Sequence, residues 1–427
     1  MSQPLTVTAT HGHVPGEMWP SVQRGGDWPD SITSAVREAK TFTFNILRRL
    51  TVTCIRCVFE FRSLTLPLPG LFLAIMNDMV SSRSLWLALG LSIPIFLSIR
   101  RSLNRFHRSS KLPENYERVL ILGASSGIGR AIAHIYASRG ARVCIVSRRE
   151  GELETVAEEC RALSTTAGHG EYQAGGKRVL HVVADFAEVE DMVRVRSALE
   201  TEWRGLDTLV VAAGVSALKP LMEVAGVEKK GKIFSPPQAY ETGLQKAVEI
   251  ANAAMKGNYV GPLVAASTTV EALRLIQPQI PLLSTTSPSP SVLLLSSLAS
   301  VIPAPTRTLY GSTKSASFML YQSLSIEHPD IHFAFVLPST VEGNFRASAV
   351  DAGEVRESDP NASGLKREAV ARRCVKAVDE GDGVVFMPWL MSWSQLVLWA
   401  CPEFVRWRAM KKYNFSSDES KEGAPLF

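Results

Sequence analysis

Ser297, Tyr310 and Lys314 are the residues whose types and spacing best suit chemistry. Tyr310 and Lys314 stand four apart, one turn of a helix on one face. An ammonium beside a phenol lowers the phenol pKa from about 10 towards the working pH. That makes Tyr310 a credible proton donor to a carbonyl, or acceptor from an alcohol. Ser297 lies thirteen residues upstream of Tyr310, just past an apolar run at 292–295 that reads as a strand. Its hydroxyl can hydrogen-bond the same oxygen. A Tyr-x-x-x-Lys alone is common on solvated helix faces, so its meaning depends on what precedes it in the chain.

What precedes it is Arg118-Val-Leu-Ile-Leu-Gly-Ala-Ser-Ser-Gly-Ile-Gly. Residues 119–122 read as a short buried strand, Gly123, Gly127 and Gly129 as a turn, and the following residues as a helix. Such a turn leaves backbone N–H groups converging at a helix N-terminus, where a pyrophosphate can sit. Gly123 permits the tight turn, Gly127 the approach of the phosphate, and Gly129 close packing of helix on strand. Ser125, Ser126 and Ile128 complete the loop. The next strand ends in Ser147-Arg148-Arg149. A dinucleotide with a free 2′-hydroxyl calls for an acid there. Arg148 and Arg149 instead match a 2′-phosphate in charge and geometry, and point to NADP(H).

The elements that must position these groups follow an alternation of strand and helix from residue 116 onward. Strands are expected at 118–122, 142–146, 179–183, 206–212, 292–295 and 333–337. Helices are expected at 130–139, 152–163, 188–203, around 244–255 and past Asn258, and at 310–326. This is the pattern of an α/β protein with a doubly wound, Rossmann-type parallel sheet. Stretches 165–177, 228–242 and 277–291 read as surface insertions, with 228–242 near the expected substrate entrance.

Four segments result: a peripheral region at 1–79, a membrane anchor with a basic linker at 80–112, the catalytic domain at 113–382, and an apolar Trp-rich tail at 383–427. The anchor is residues 85–99, uncharged and followed by Arg100, Arg101, Arg105, Arg108 and Lys111. Fifteen helical residues reach about 22 Å, short of a ~30 Å hydrocarbon core, so a core helix or a cleaved signal peptide are the alternatives. The basic residues would hold the domain on the cytosolic side. The tail carries Trp389, Trp393 and Trp399, then Arg406, Trp407, Arg408, Lys411 and Lys412. It suits an amphipathic helix lying at a bilayer interface, or one docked on the domain or on a second subunit.

Composition narrows the classes. A net charge of +5 over 427 residues, with no long basic run, gives no reason to expect nucleic acid. Six scattered cysteines give no disulfide framework. Cys54 and Cys57 form a C-x-x-C without a second pair, so neither zinc nor another metal is expected.

Residues 117–345 resemble the short-chain dehydrogenase/reductase family. The resemblance rests on Gly123-x-x-x-Gly127-x-Gly129, Asp185, Ala213-Gly214, Asn258, Ser297, Tyr310-x-x-x-Lys314 and Pro338-Ser-Thr-Val341, which stand in family order. It implies that Ser297 polarises the substrate oxygen, Tyr310 transfers the proton, Lys314 binds the nicotinamide ribose and Asn258 holds a relay water. It further implies that Asp185 contacts adenine and Val341 the carboxamide, and that the protein is a homodimer or tetramer. Three positions depart from the family pattern: Leu122 for Thr, Ala212 for Asn and Ser339 for Gly.

The anchor, core and tail resemble the membrane-anchored microsomal branch that contains hydroxysteroid and retinal reductases. The function implied is NADPH-dependent reduction of a lipophilic carbonyl, or oxidation of the matching alcohol, at the endoplasmic reticulum membrane. Reduction of 3-ketosphinganine is the nearest alternative. An inactive, membrane-tethered NADP-binding scaffold is an alternative of another class.

Overall fold

Leu120 and Leu122 face one way from a five-residue strand, Val119 and Ile121 the other, and all four are fully buried. Such a strand needs cover on both faces, as parallel sheets do. The computed structural model describes Ser92 and residues 108–169, 176–230, 233–236, 238–269, 287–356 and 359–415. The chain divides into two units, Met1–Leu97 and Ser98–Phe427; the sheet and its helices belong to the second.

The elements run β1 (Arg118–Leu122), α1 (Gly127–Ser138), β2 (Arg142–Ser147), α2 (Glu150–Thr166), β3 (Val179–Val183), α3 (Val189–Trp203) and β4 (Thr208–Val211). After α4 (Leu221–Val224) comes a hairpin, β5 (Glu228–Lys230) and β6 (Ile233–Ser235), then α5 (Glu241–Met255). A π-helical turn, Lys256–Val260, joins α5 to α6 (Gly261–Thr269). The second half holds β7 (Ser291–Leu295), α7 (Thr308–Glu327), β8 (His332–Pro338), α8 (Pro360–Ser363), α9 (Arg367–Glu380) and β9 (Val384–Met387). It closes with α10 (Ser394–Ala400) and α11 (Pro402–Lys412).

The main sheet has seven strands in the order β3-β2-β1-β4-β7-β8-β9, every pairing parallel. On one face Leu120, Leu122 and Val146 pack with Met192, Ala265, Phe318 and Tyr321 from α3, α6 and α7. On the other, Val119, Ile121 and Ile145 pack with Ile132, Tyr136, Leu153 and Val375 from α1, α2 and α9. The chain reverses its winding between β1 and β4, the point at which doubly wound sheets open a crevice beyond their strand ends.

Buried charge holds the amino edge of the sheet. The Arg118 guanidinium grips Asp207 through Nε (2.8 Å) and Nη2 (2.9 Å), and the Arg118 backbone N–H donates to the same carboxylate. This ties the start of β1 to the start of β4. Arg108 pairs with Glu117 and donates to Ser289 O, Asp207 O and Thr208 Oγ1. The sequence places Arg108 in the basic linker that follows the anchor. It is instead 2% exposed and fastens the segments entering β1, β4 and β7.

Two further expectations change. The sequence places the start of the tail at 383, yet residues 384–387 pair in parallel with β8 and complete the sheet. Four residues followed by Pro388 are too few to show a strand period beside the apolar run that continues to 401. The stretch 228–242 holds the β5–β6 hairpin; among the described residues none of it lines the central cleft. Residues 1–79, Cys54 and Cys57 lie outside the described residues, as does the expected anchor apart from Ser92. Among the described residues no helix is long and apolar enough to cross a membrane. Cys144, Cys160 and Cys374 are buried free thiols pushed up to about 12 by desolvation, which leaves them inert.

Removing one partner of a buried ion pair strands the other in a low dielectric. Asp207→Ala is therefore expected to cost about 3–5 kcal/mol, read by urea denaturation. A loss below about 1 kcal/mol would show that Arg118 and Asp207 do not hold β1 to β4.

Candidate active site

Each element that reaches the carboxyl edge brings one part of the site. Gly123 leaves β1 with φ +88°, and a Cβ there would lie 2.6 Å from Ala213 Cα. Gly129, in the first turn of α1, passes so close to the Gly123 carbonyl that a Cβ would sit 2.2 Å from that oxygen. Above Gly127 there is open space. The turn is thus packed tightly against the sheet and left clear where a phosphate would approach.

Arg149 bridges this turn from the end of β2. Its Nη2 donates to Ser125 Oγ (2.9 Å) and Ser126 Oγ (2.7 Å), while Nη1 lies 3.0 Å from Glu152. Arg148 is exposed and reaches towards Asp185, at 3.7 Å. Asp185 Oδ1 accepts from the Ala187 N–H, which fixes the loop after β3.

Ala213 and Gly214 follow β4. Asn258 lies in the π-helical turn, fully buried. Its Oδ1 accepts from Val215 N–H, and its Nδ2 donates to Val215 O and Thr313 Oγ1. Both amide hydrogens are thereby used. The side chain clamps the 213–215 loop to α7, and a relay water would have to meet its backbone carbonyl or the second lone pair of Oδ1.

Lys314 sits where these pieces converge. It is 4% exposed, and its Nζ donates to Leu295 O at 3.3 Å. A Cβ on Gly214 would lie 2.9 Å from Asn258 Oδ1 and 3.0 Å from Lys314 Nζ, so only glycine fits between them. Burial pushes the Lys314 ammonium down to about 8. Ser297 ends the β7 edge and its Oγ accepts from Ala299 N–H. Ser315 Oγ donates to Ser300 O at 2.7 Å and ties that turn to α7.

Tyr310 is buried, edge-on to Phe345 with 6.0 Å between ring centroids. Arg307 stacks over the Tyr310 ring at 5.0 Å and donates to Ser216 Oγ (2.7 Å) and Ala217 O (3.3 Å). The sequence reading missed Arg307. It lies ahead of the helix expected at 310–326 and caps the helix that starts at Thr308, so helical spacing gave no signal for it.

A cleft of about 1880 Å³ gathers these groups. It is lined by Gly123, Ser125, Ser126, Gly127, Ile128, Gly129, Arg148, Arg149, Asp185, Ala213, Gly214, Ser297, Tyr310, Lys314 and Val341. Of the residues expected to act in catalysis or cofactor binding, Asn258 alone does not line it. The volume exceeds that of a single small-ligand pocket, about 300–1,000 Å³, and leaves room for a dinucleotide and a second molecule. The open turn, the hydroxyls at its rim and the guanidiniums beside it fit a dinucleotide's phosphates. The far wall comes from Trp393, just ahead of α10, and from α10 and α11 through Val397, Phe404, Val405 and Arg408.

Comparison with known proteins finds similarity over part of the chain. The family model described as short chain dehydrogenase matches residues 117–233. The 11-beta-hydroxysteroid dehydrogenase A of Sesamum indicum is 28% identical, with 71% of this chain and 77% of that protein covered. The 11-beta-hydroxysteroid dehydrogenase-like 2 of Arabidopsis thaliana is 27% identical, covering 67% of this chain and 78% of that one. Among solved structures, an alcohol dehydrogenase from the archaeon Thermococcus sibiricus, complexed with 5-hydroxy-NADP, is 22% identical. It covers 64% of this chain and 94% of that one, with a TM-score of 0.46.

The buried ammonium generates a prediction. Its value falls from 10.5 to about 8 on folding. Between those pH values the unfolded chain holds a proton that the folded chain has released, so this group makes stability rise with pH across that window. Below pH 8 its burial costs about 3 kcal/mol. Lys314→Met is expected to stabilise the cofactor-free protein at pH 7 and to flatten the rise between pH 8 and 10.5, read by thermal denaturation against pH. Parallel curves for the two proteins would contradict the burial of a charge at Lys314.

Proposed function

We propose, from the premise that the chain belongs to the short-chain dehydrogenase/reductase family of oxidoreductases acting on CH–OH and C=O groups, that it reduces a lipophilic carbonyl compound with NADPH. The observation that carries this reading is the meeting of Ser297, Tyr310, Lys314 and the glycine-rich turn in one cleft. Bound there, the reduced nicotinamide supplies a hydride to the carbonyl carbon.

The protein's own groups do the rest. Ser297 hydrogen-bonds the carbonyl oxygen and fixes its direction. Tyr310 gives its phenolic proton to that oxygen as the C–H bond forms, so the product is a neutral alcohol. Lys314, held by Leu295 O, keeps positive charge beside the phenolate that results and is placed to hold the ribose. Gly123, Gly127, Gly129, Ser125, Ser126 and Ile128 cradle the pyrophosphate. Asp185, Ala213, Gly214 and Val341 line the adenine and nicotinamide ends.

Preference for NADPH is supported by Arg148 and Arg149 where an acid would favour NADH. Arg149 already spans the turn's hydroxyls, and exposed Arg148 is able to swing from Asp185 to a 2′-phosphate. A lipophilic substrate is supported by the apolar wall from α10 and α11, and by relatives named as hydroxysteroid dehydrogenases. Membrane association is supported by the uncharged stretch 85–99 with its arginines. Exposed Trp389, Trp393, Trp399, Phe404 and Trp407 add to it. We place the domain on the cytosolic face of the endoplasmic reticulum, by the charge bias that follows the stretch. The complete Ser297, Tyr310 and Lys314 set weighs against a catalytically silent scaffold.

Tyr310→Phe is expected to abolish turnover while NADPH binding, followed by fluorescence titration, stays nearly intact; retained turnover removes Tyr310 from proton transfer. Arg148→Ala is expected to weaken NADPH about tenfold or more and NADH little, the size of one lost charge-assisted contact. Equal losses for the two cofactors would mean that Arg148 does not read the 2′-phosphate.

A further inference from the structure

We propose that the substrate carries an anionic group, held by Arg408 and Lys412 on α11 while its carbonyl lies at Tyr310. The inference rests on the carbonyl-reductase reading and adds the substrate's charge to it. Val405, Arg408, Ala409 and Lys412 all line the cleft. Their spacing of three, four and seven residues puts them on one face of the helix. Arg406, Trp407 and Lys411 belong to other faces and do not line it. Of the four cations at this end of the tail, two therefore turn towards the site.

Aromatic rings steady both heads. The Arg408 guanidinium lies 5.9 Å from the Trp407 ring and the Lys412 ammonium 5.3 Å from the ring of Tyr413, itself buried and part of the wall. At the reacting end, buried Arg307 adds a third positive charge to the same lining. Ile302, Phe345, Trp393, Val397 and Phe404 form the apolar surface of this half.

The acids of the lining, among the described residues, are Asp185 and Glu342. Asp185 stands beside Arg148 at the cofactor end. Glu342 lies 2.8 Å from Lys366 and accepts from the Arg367 backbone N–H. Lys366 and Arg367 hold its carboxyl below the usual range. The substrate half is thus positive over an apolar body. A protonated amine is repelled there, a neutral lipid gains nothing from the charges, and a carboxylate or phosphate on an apolar chain is matched.

The test uses the full chain in non-ionic detergent with saturating NADPH. Oxoalkanoates with the carbonyl about four, eight or twelve carbons from the carboxylate are compared with their methyl esters. At the best spacing the acid is expected to exceed its ester about tenfold in kcat/KM, mostly through KM, as two partly exposed ion pairs would give. Arg408→Gln with Lys412→Gln should bring the ratio near one, and Arg408→Glu with Lys412→Glu should invert it. NADPH titration checks that both variants are folded. Esters reduced as well as acids at every spacing would overturn the proposal and leave the reductase reading standing. An unchanged ratio in the glutamine variant would overturn the assignment to these residues. A preference seen only after anionic vesicles are added would assign the pair to membrane headgroups and overturn it too. Reduction of neither series, with NADPH bound, would bring down the reductase reading and this inference together.

Discussion

The parallel register of β1, β4 and β7 is the constraint on which the site depends. Leu122 pairs with Val211, and Val211 with Leu294. The chain leaves all three strands at one level, so the glycine turn, Gly214 and Ser297 emerge along a single edge. Lys314 is then drawn beneath that edge by the Leu295 carbonyl, one residue before β7 ends its hydrogen-bonded run into Ser296. Any slip between β4 and β7 would separate Gly214 from Ser297 and leave the lysine without its place. The buried Arg118–Asp207 and Arg108–Glu117 pairs at the opposite edge oppose such a slip.

Function and stability pull against each other at Lys314. A long cationic side chain is enclosed between Gly214 and Asn258, with a single carbonyl as its hydrogen-bond acceptor in the contacts described here. Water would solvate the ammonium better, which is why its pKa falls. The fold bears that cost through the sheet and its two buried layers. On the proposed mechanism, what it gains is a positive charge that needs no reorganisation when negative charge develops on the Tyr310 oxygen. The cleft's other end is built differently. Its charges sit at the rim of a Trp-rich helical pair, where screening by water is stronger.

Much of this could be read from the residues. Strands β1 and β3 fall where the apolar runs place them, because Gly123 closes the first run and Ala184-Asp185 follows the second. The other expected strand and helix ends lie within three residues of the observed ones, while the helix Arg367–Glu380 was not expected. β9 escaped because residues 384–387 merge into the apolar tail, and nothing local separates a four-residue strand from the helices after it. Arg108 escaped for the opposite reason. It follows a run of arginines that reads as a basic linker after the anchor, and its burial is decided by Glu117, Asp207 and Thr208, the last a hundred residues away. Arg307 and the α10–α11 wall depend on tertiary packing in the same way. The spacing of the wall residues was visible in the sequence, but the surface they would face was not.

The most direct measurement follows deuterium from 4-deuterated NADPH into product. Detergent-solubilised protein would be offered a ketosteroid, retinal, 3-ketosphinganine, a long-chain aldehyde and an oxo fatty acid side by side. The account predicts that at least one is reduced, with deuterium on the carbinol carbon and none on oxygen after exchange with water. Tight NADPH binding with no deuterium transferred to any of them would contradict it, and would make the chain a nucleotide-binding protein rather than a reductase of lipophilic carbonyls.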